Sequence, residues 1–331
     1  MILVRSPFRL PLGGGGTDLP SYYSRYGGCL ITAAINKYLY LSLNLPAMAD
    51  KIKINYSKVE MVEVNAIDQI KHEIVRESLK YLGINQPIEI SSMADLAAGT
   101  GMGSSSSYTV GLLKGLNTFL RRYISIQELA EEACHIEIDR IGKPIGKQDQ
   151  YAAAFGGIIQ LQIAPDGQVS VTPLPLDHEI IYELENRLMM FYTHIERDAN
   201  QILAEQSQKA GYDEQTVIAS MHRIKEIGME VKQALVQGEI CRFGRLLNDH
   251  WLEKKRISNQ MSNSHIDDWY ELALKHGALG GKIMGAGGGG FMLFCVENGR
   301  RKHLRKIMES EGMKYMDFRF DFEGSKTLVN F

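Results

Sequence analysis

The chain has 331 residues, 44% of them apolar, with 37 basic against 39 acidic side chains and a net charge of −2. A chain of this size can bury a full core, more readily as two lobes than as one. Its near-neutral balance, without a dense Lys/Arg block, excludes an electrostatic footprint for nucleic acid or an anionic membrane.

The apolar opening Met1 to Phe8 reads as a first strand, since it lacks the basic leader and small-residue cleavage site of a secretory signal. With no apolar run near about eighteen residues, the expected location is the cytoplasm. Arg9 ends that strand, and Gly13 to Gly16 lead to Thr17-Asp18. Four glycines cannot be strand interior: either something approaches the backbone closely there, or the segment is a simple turn with Asp18 as a cap. Cys29 to Leu45 is long enough to fold into a hairpin, and Lys51 to Tyr56 alternates with period two. A helix over 66–82 and a strand over 88–91 follow.

Residues Leu96 to Tyr108, LAAGTGMGSSSSY, carry the strongest signal. Gly99, Gly101 and Gly103 alternate directly ahead of Ser104 to Ser107. Behind the serines, Leu112, Leu113, Leu116, Phe119 and Leu120 recur at helical spacing, so the serines suit cap and first-turn positions. Backbone N–H groups freed by glycine, together with a helix start, build an anion site, and phosphate is its natural guest. A flexible Gly/Ser linker is the alternative, but a linker does not lead into an amphipathic helix. The loop is not a Walker A motif, because Gly142-Lys143, Gly146-Lys147 and Gly281-Lys282 are not followed by Ser or Thr. Nor does its position, about a hundred residues in, suit a dinucleotide fingerprint.

Ser125 and Glu128 have capping-box spacing, and the next helix has an apolar stripe through Ile126, Leu129, Ala130 and Ala133. At 100° per residue Glu137 falls within that stripe, while Glu128, Glu131, Glu132 and Asp139 point toward water. An inward carboxylate must be paired or bound to metal. Glu137 is therefore either a Mg²⁺ ligand beside the phosphates or an ion-pair partner. In IGKPIGKQDQYAAAFGG, Asp149 is either a helix cap or the carboxylate that a phosphoryl transfer needs at the attacking hydroxyl. Lys143 and Lys147 are either solvated loop charges or contacts for a phosphorylated substrate.

Strands return in GGIIQLQI and VSVTPL, and Leu188 to Thr193 reads as another. Amphipathic helices fill about 199–276, then come the strand–loop–strand GGKIMGAGGGGFMLFCV, a helix near 298–311 and a last strand over 316–322. Strands and helices mix without regular βαβ alternation, which predicts an α+β fold. The change of character near residue 185 predicts lobes at 1–185 and 186–331. Cys29, Cys134, Cys241 and Cys295 are scattered and read as buried free thiols.

Three stretches, PFRLPLGGGGTD, GTGMGSSSS and KIMGAGGGGF, match in order the motifs of the GHMP small-molecule kinase superfamily, which the chain resembles over nearly its whole length. The resemblance implies a two-lobed architecture: an N-terminal lobe like ribosomal protein S5 domain 2 and a ferredoxin-like C-terminal lobe, with ATP and substrate between them. It implies that the triphosphate lies along Gly99, Gly101, Met102, Gly103, Ser104, Ser105 and Ser106. Ser104 and Glu137 match the Mg²⁺ ligands, Arg9 and Asp149 the catalytic pair, and Asp18 the sugar contact. Gly15-Gly16 stand where galactokinases carry Glu-His, which removes two sugar contacts and widens the pocket. GGGGTDLPSYY, YSKVE, IKHEIVRE and GKQDQYAAAFGG resemble bacterial heptose 7-phosphate kinases. That resemblance implies phosphorylation at C1, with Gly16, Thr17, Asp18, Lys147, Thr193 and Arg197 at the substrate and His72 and Arg76 near it. Arg197 would suit the 7-phosphate, since guanidinium holds phosphate through two donors. The expected partners are a sugar phosphate and ATP, with the protein a monomer or homodimer.

Overall fold

The computed structural model describes residues 1–48, 50–97, 99–195, 215–258 and 261–331. In chain order the first part comprises β1 (Ile2–Gly13), α1 (Pro20–Tyr26), β2 (Gly28–Asn44), β3 (Lys51–Asn55), β4 (Val59–Glu63), α2 (Glu73–Leu82), β5 (Ile88–Ala94), α3 (Ser104–Phe119), α4 (Ile126–Cys134), α5 (Gln148–Phe155), β6 (Ile158–Ile163), β7 (Val169–Pro173) and α6 (His178–Arg187). The second comprises β8 (Leu188–Tyr192), α7 (Gln215–Val236), α8 (Ile240–Ile257), α9 (Ser264–Lys275), β9 (Ala278–Ile283), β10 (Phe291–Val296), α10 (Arg301–Ser310), β11 (Lys314–Met316) and β12 (Lys326–Asn330).

Two sheets organise these elements into the α+β, two-lobed architecture expected from the sequence. The larger runs β12-β1-β2-β5-β3-β4, with β6 and β7 branching from β2, and the smaller runs β11-β8-β10-β9. The segment expected to fold into a hairpin is one strand, β2. On one side β1 follows it from Ile31 to Leu43, and on the other β6 pairs with Gly28 to Ala33 and β5 with Leu39 to Asn44. A strand that finds partners along both edges has no reason to turn back on itself.

Arg9 lies inside β1 rather than at its end, because the strand continues to Gly13. Pro7 and Pro11 are tolerated there: the ladder slips at both points, and β12 covers only Ile2 to Arg5. The final strand expected over 316–322 is displaced. β11 ends at Met316, a single bridge joins Phe320 to Ile35, and the last strand, β12, returns to the larger sheet. Residues 185 and 186 both fall within the last turn of α6.

One apolar cluster joins the sheets. It contains Leu10, Ile31 and Leu41 from the larger, Met190 and Leu293 from the smaller, and Ile227, Val231 and Leu247 from the helices between. Of the cysteines, Cys29, Cys134 and Cys295 are buried, but Cys241 is exposed near the start of α8.

Candidate active site

The helix start anticipated at Ser104 is the start of α3, with Gly103 before it in the left-handed region at φ 78°. Gly99 and Gly101 share that conformation, at φ 79° and 78°. Such alternation turns successive N–H groups toward one concavity, as an anion cradle requires. The late glycine loop closes the back of this one: a Cβ on Gly101 would stand 2.6 Å from the Met284 carbonyl oxygen, and one on Gly290 would stand 2.4 Å from that of Thr100. The loop after β9 therefore forms the wall behind the cradle.

β1 aims Arg9 beneath the cradle. Its Nε and Nη2 donate to Asp149 Oδ1 and Oδ2 at 2.6 and 2.9 Å, and Nη1 donates to the Gly101 carbonyl at 2.7 Å. This two-pronged pairing fixes the carboxylate plane. Asp149 is not a cap ahead of a helix, since it occupies the first turn of α5. Asp18 stands close by, its oxygens accepting from the amides of Gly16 and Gln148, each at 3.0 Å. Burial and the negative charge of Asp149 raise its pKa above the ordinary carboxylate value, partly offset by those amides.

Glu137 is fully buried, as its helical face predicts. It sits in a π-turn, His135–Arg140, that continues α4, a feature common where a helix builds a site. Its carboxylate accepts from Lys143 at 3.0 Å, from Gln150 at 2.9 Å and from the Ser105 hydroxyl. The ion-pair alternative for Glu137 is thus realised, with Lys143 as partner. The hydroxyl that reaches it belongs to Ser105; the Ser104 hydroxyl is buried without a partner among the described residues. Ser104 and Glu137 remain hard oxygen donors at the cradle, and the orphaned Ser104 oxygen is the kind of atom that a Mg²⁺ ion would satisfy. Glu132, expected to face water, is buried instead, because Arg122 reaches it at 3.0 Å from beyond the end of α3.

Several residues expected at the substrate are occupied elsewhere. The buried Thr17 hydroxyl donates to the carbonyls of Gly14 at 2.8 Å and Cys29 at 3.1 Å and accepts from the Cys29 amide at 3.2 Å, so it locks the glycine turn onto β2. Thr17→Val should therefore lower stability by about 1–3 kcal/mol. Chemical denaturation read beside acceptor KM checks this, because a substrate contact would change KM as well. Thr193 donates to the Gly290 carbonyl at 2.8 Å, and Lys147 to that of Gly167 at 2.7 Å. His72 packs between Tyr56 and Tyr108, and Arg76 holds the Ile70 carbonyl. None of these five lines the pocket, whereas Arg9, Gly16, Asp18 and Asp149 do. Arg197 lies outside the described residues.

The other wall of that pocket comes from the second sheet and its helix. His250, Trp251 and Lys254 of α8 line it with Lys282 and Ile283 of β9. The sequence carried a signal for these residues that went unread. Phe243, Leu247, His250, Lys254 and Ile257 recur at spacings of three and four, so a histidine and a lysine share an apolar stripe, as Glu137 does. Both nitrogens of the His250 ring lack partners among the described residues.

Burial, with Lys282 and Lys254 nearby, holds the His250 imidazole well below its ordinary 6.5. The unfolded chain takes up a proton near that value and the folded chain does not. Stability is therefore full above it and falls on acidification, by up to about 1.4 kcal/mol per pH unit. Urea unfolding at about pH 7.5 and about pH 5.5 should show this loss, and His250→Gln should reduce it. Equal losses in both proteins would contradict the assignment.

Residues 64–157 match the family model for the GHMP kinases N terminal domain, and 231–312 match GHMP kinases C terminal. The chain is 32% identical to a D-glycero-alpha-D-manno-heptose 7-phosphate kinase of Campylobacter jejuni, covering 98% of each chain. It is 25% identical to a galactokinase of Pyrococcus furiosus over 92% of this chain and 91% of that one. A crystal structure described as a D-glycero-D-manno-heptose 1-phosphate kinase from Bacteroides thetaiotaomicron superposes with a TM-score of 0.83 at 27% identity, covering 100% of both chains.

Proposed function

Because the chain belongs to the GHMP kinases, we propose that it moves the γ-phosphoryl group of ATP to the C1 hydroxyl of D-glycero-D-manno-heptose 7-phosphate, giving the 1,7-bisphosphate. The protein is a sugar kinase, a phosphotransferase with an alcohol group as acceptor. The observation that carries the phosphoryl transfer is the Arg9–Asp149 pair, set under the glycine cradle and open to a pocket that also holds Asp18.

In this reading the amides of Gly99 to Ser106 hold the triphosphate. Asp18 orients the sugar. Asp149, its plane fixed by Arg9, accepts the proton of the attacking hydroxyl; the new bond joins that oxygen to phosphorus, and ADP leaves with the electrons of the broken bond. Arg9 also compensates charge developing at the acceptor oxygen. Little covalent work falls to the protein, whose contribution is alignment and electrostatics. Mg²⁺, held by Ser104 and Glu137, would neutralise phosphate charge when bound.

Two relatives matched over nearly the whole chain, each described as a kinase of a heptose phosphate, support the substrate class. Gly15 and Gly16 beside the pocket support an acceptor bulkier than galactose. A coupled ADP-release assay over galactose, fucose, mannose 6-phosphate and heptose 7-phosphate, with phosphorus NMR of the product, tests the proposal. The expected result is turnover of heptose 7-phosphate and a new anomeric phosphate signal. Preference for galactose or fucose, or phosphorylation away from C1, would overturn it.

A further inference from the structure

The acceptor pocket holds more positive charge than the reaction as described uses. Three basic side chains line it, Arg9, Lys254 and Lys282, against the two carboxylates of Asp18 and Asp149. Asp149 is taken up by Arg9, and Asp18 accepts from backbone amides. Lys254 and Lys282 are only 9% and 2% exposed, and no hydrogen bond or ion pair ties either ammonium group to another described residue.

Close packing puts the two lysines side by side. A Cβ on Gly280 would lie 2.2 Å from the Gly244 carbonyl oxygen, so α8 rests almost directly on β9. His250 and Lys254, one turn apart on the inner face of α8, are thereby brought against Lys282. Burying two like charges with no carboxylate bonded to either among the described residues is costly. A surface role does not explain it, and neither does core packing, which an apolar residue would serve better.

We propose that Lys254 and Lys282 form a subsite for a phosphate group that the acceptor sugar already carries, with His250 lining the same pocket. The inference rests on the sugar-kinase reading and adds the groups that select a phosphorylated acceptor. A phosphate dianion supplies the missing counter-charge, and an unphosphorylated sugar leaves it missing. Specificity then comes from a cost that only the right substrate removes.

Protonation behaviour agrees with this geometry. Burial lowers Lys254 to about 8, with Asp18 opposing the shift and Arg9 reinforcing it, and burial together with Lys254 and Arg9 holds Lys282 well below 10.5. At mildly alkaline pH the free site is therefore short of protons, and a bound dianion should draw them in.

Two sources of phosphate fit the same chemistry, the acceptor's own group and the γ-phosphoryl of ATP, and kinetics separates them. Lys254→Met and Lys282→Met should each lower kcat/KM for heptose 7-phosphate by about 10- to 100-fold. Unphosphorylated heptose as acceptor should change by less than about threefold, and KM for ATP should hold. Equal losses on both acceptors, or a raised KM for ATP, would assign the lysines to the transferred phosphoryl and overturn the subsite, as would no loss at all.

Calorimetry of heptose 7-phosphate binding to the unaltered protein without ATP, at about pH 8 in two buffers of different ionisation enthalpy, gives a readout independent of variant folding. Net proton uptake is expected, and its absence would overturn the subsite. If the protein phosphorylates plain heptose as well as the 7-phosphate, the subsite fails while the kinase reading stands. If no sugar releases ADP but heptose 7-phosphate still binds with proton uptake, the reaction fails while the subsite stands.

Discussion

Asp149→Asn should lower kcat by about 10²–10⁴-fold, the range expected when a positioned general base is lost. The substitution keeps shape and volume, and one amide oxygen still accepts from Arg9. Lost are the second acceptor of the paired guanidinium and the oxygen proposed to take the hydroxyl's proton. KM for ATP should move little, because Arg9 keeps its bond to the Gly101 carbonyl and with it the underside of the cradle. Steady-state ADP release, with thermal unfolding as a check on the fold, measures the effect. Turnover near that of the unaltered protein would remove Asp149 from the reaction.

Gly101→Ala should combine a stability loss of about 2–4 kcal/mol with a raised KM for ATP and a lower kcat. Two independent costs meet at this residue. A side chain at φ 78° is strained wherever it stands, and here its Cβ would also press to 2.6 Å on the Met284 carbonyl, which belongs to backbone and cannot swing aside. The peptide that must shift carries the carbonyl holding Arg9, so the disturbance reaches Asp149. Gly99→Ala is the matched control. Its φ is 79°, yet nothing among the described residues lies within 4 Å of the added carbon, so only the strain of about 1–2 kcal/mol remains. Chemical denaturation and ATP kinetics on the pair test the argument, and equal effects at both positions would refute it.

What could be read from the sequence was local and periodic. The serine run is a helix start, Ser125 and Glu128 form the capping box, and the inward face assigned to Glu137 is its real environment. Those outcomes depend on spacing within one segment. Pairings across the chain were not readable in this way. β2 gave no sign that it would meet β1, β5 and β6 along its edges, and β12 gave none that it would rejoin the larger sheet.

At the site, the resemblance implied Thr17 at the substrate. A hydroxyl's direction is set by what the turn needs, however, and here the turn needed it on Cys29. Lys254 and Lys282 escaped notice for a different reason. Each is one charge in an otherwise apolar pattern, and only the contact between α8 and β9, over two hundred residues beyond Arg9, reveals that they share its pocket.

The apolar cluster that runs unbroken from Leu10 through Val231 to Leu293 limits how such enzymes diversify. The two halves of this chain share that one core. A chimera that grafted the second half of a distant relative onto this first half would inherit ill-fitting surfaces on a junction meant to be dry. New acceptor preferences are more readily reached by exchanging single pocket side chains than by shuffling whole lobes.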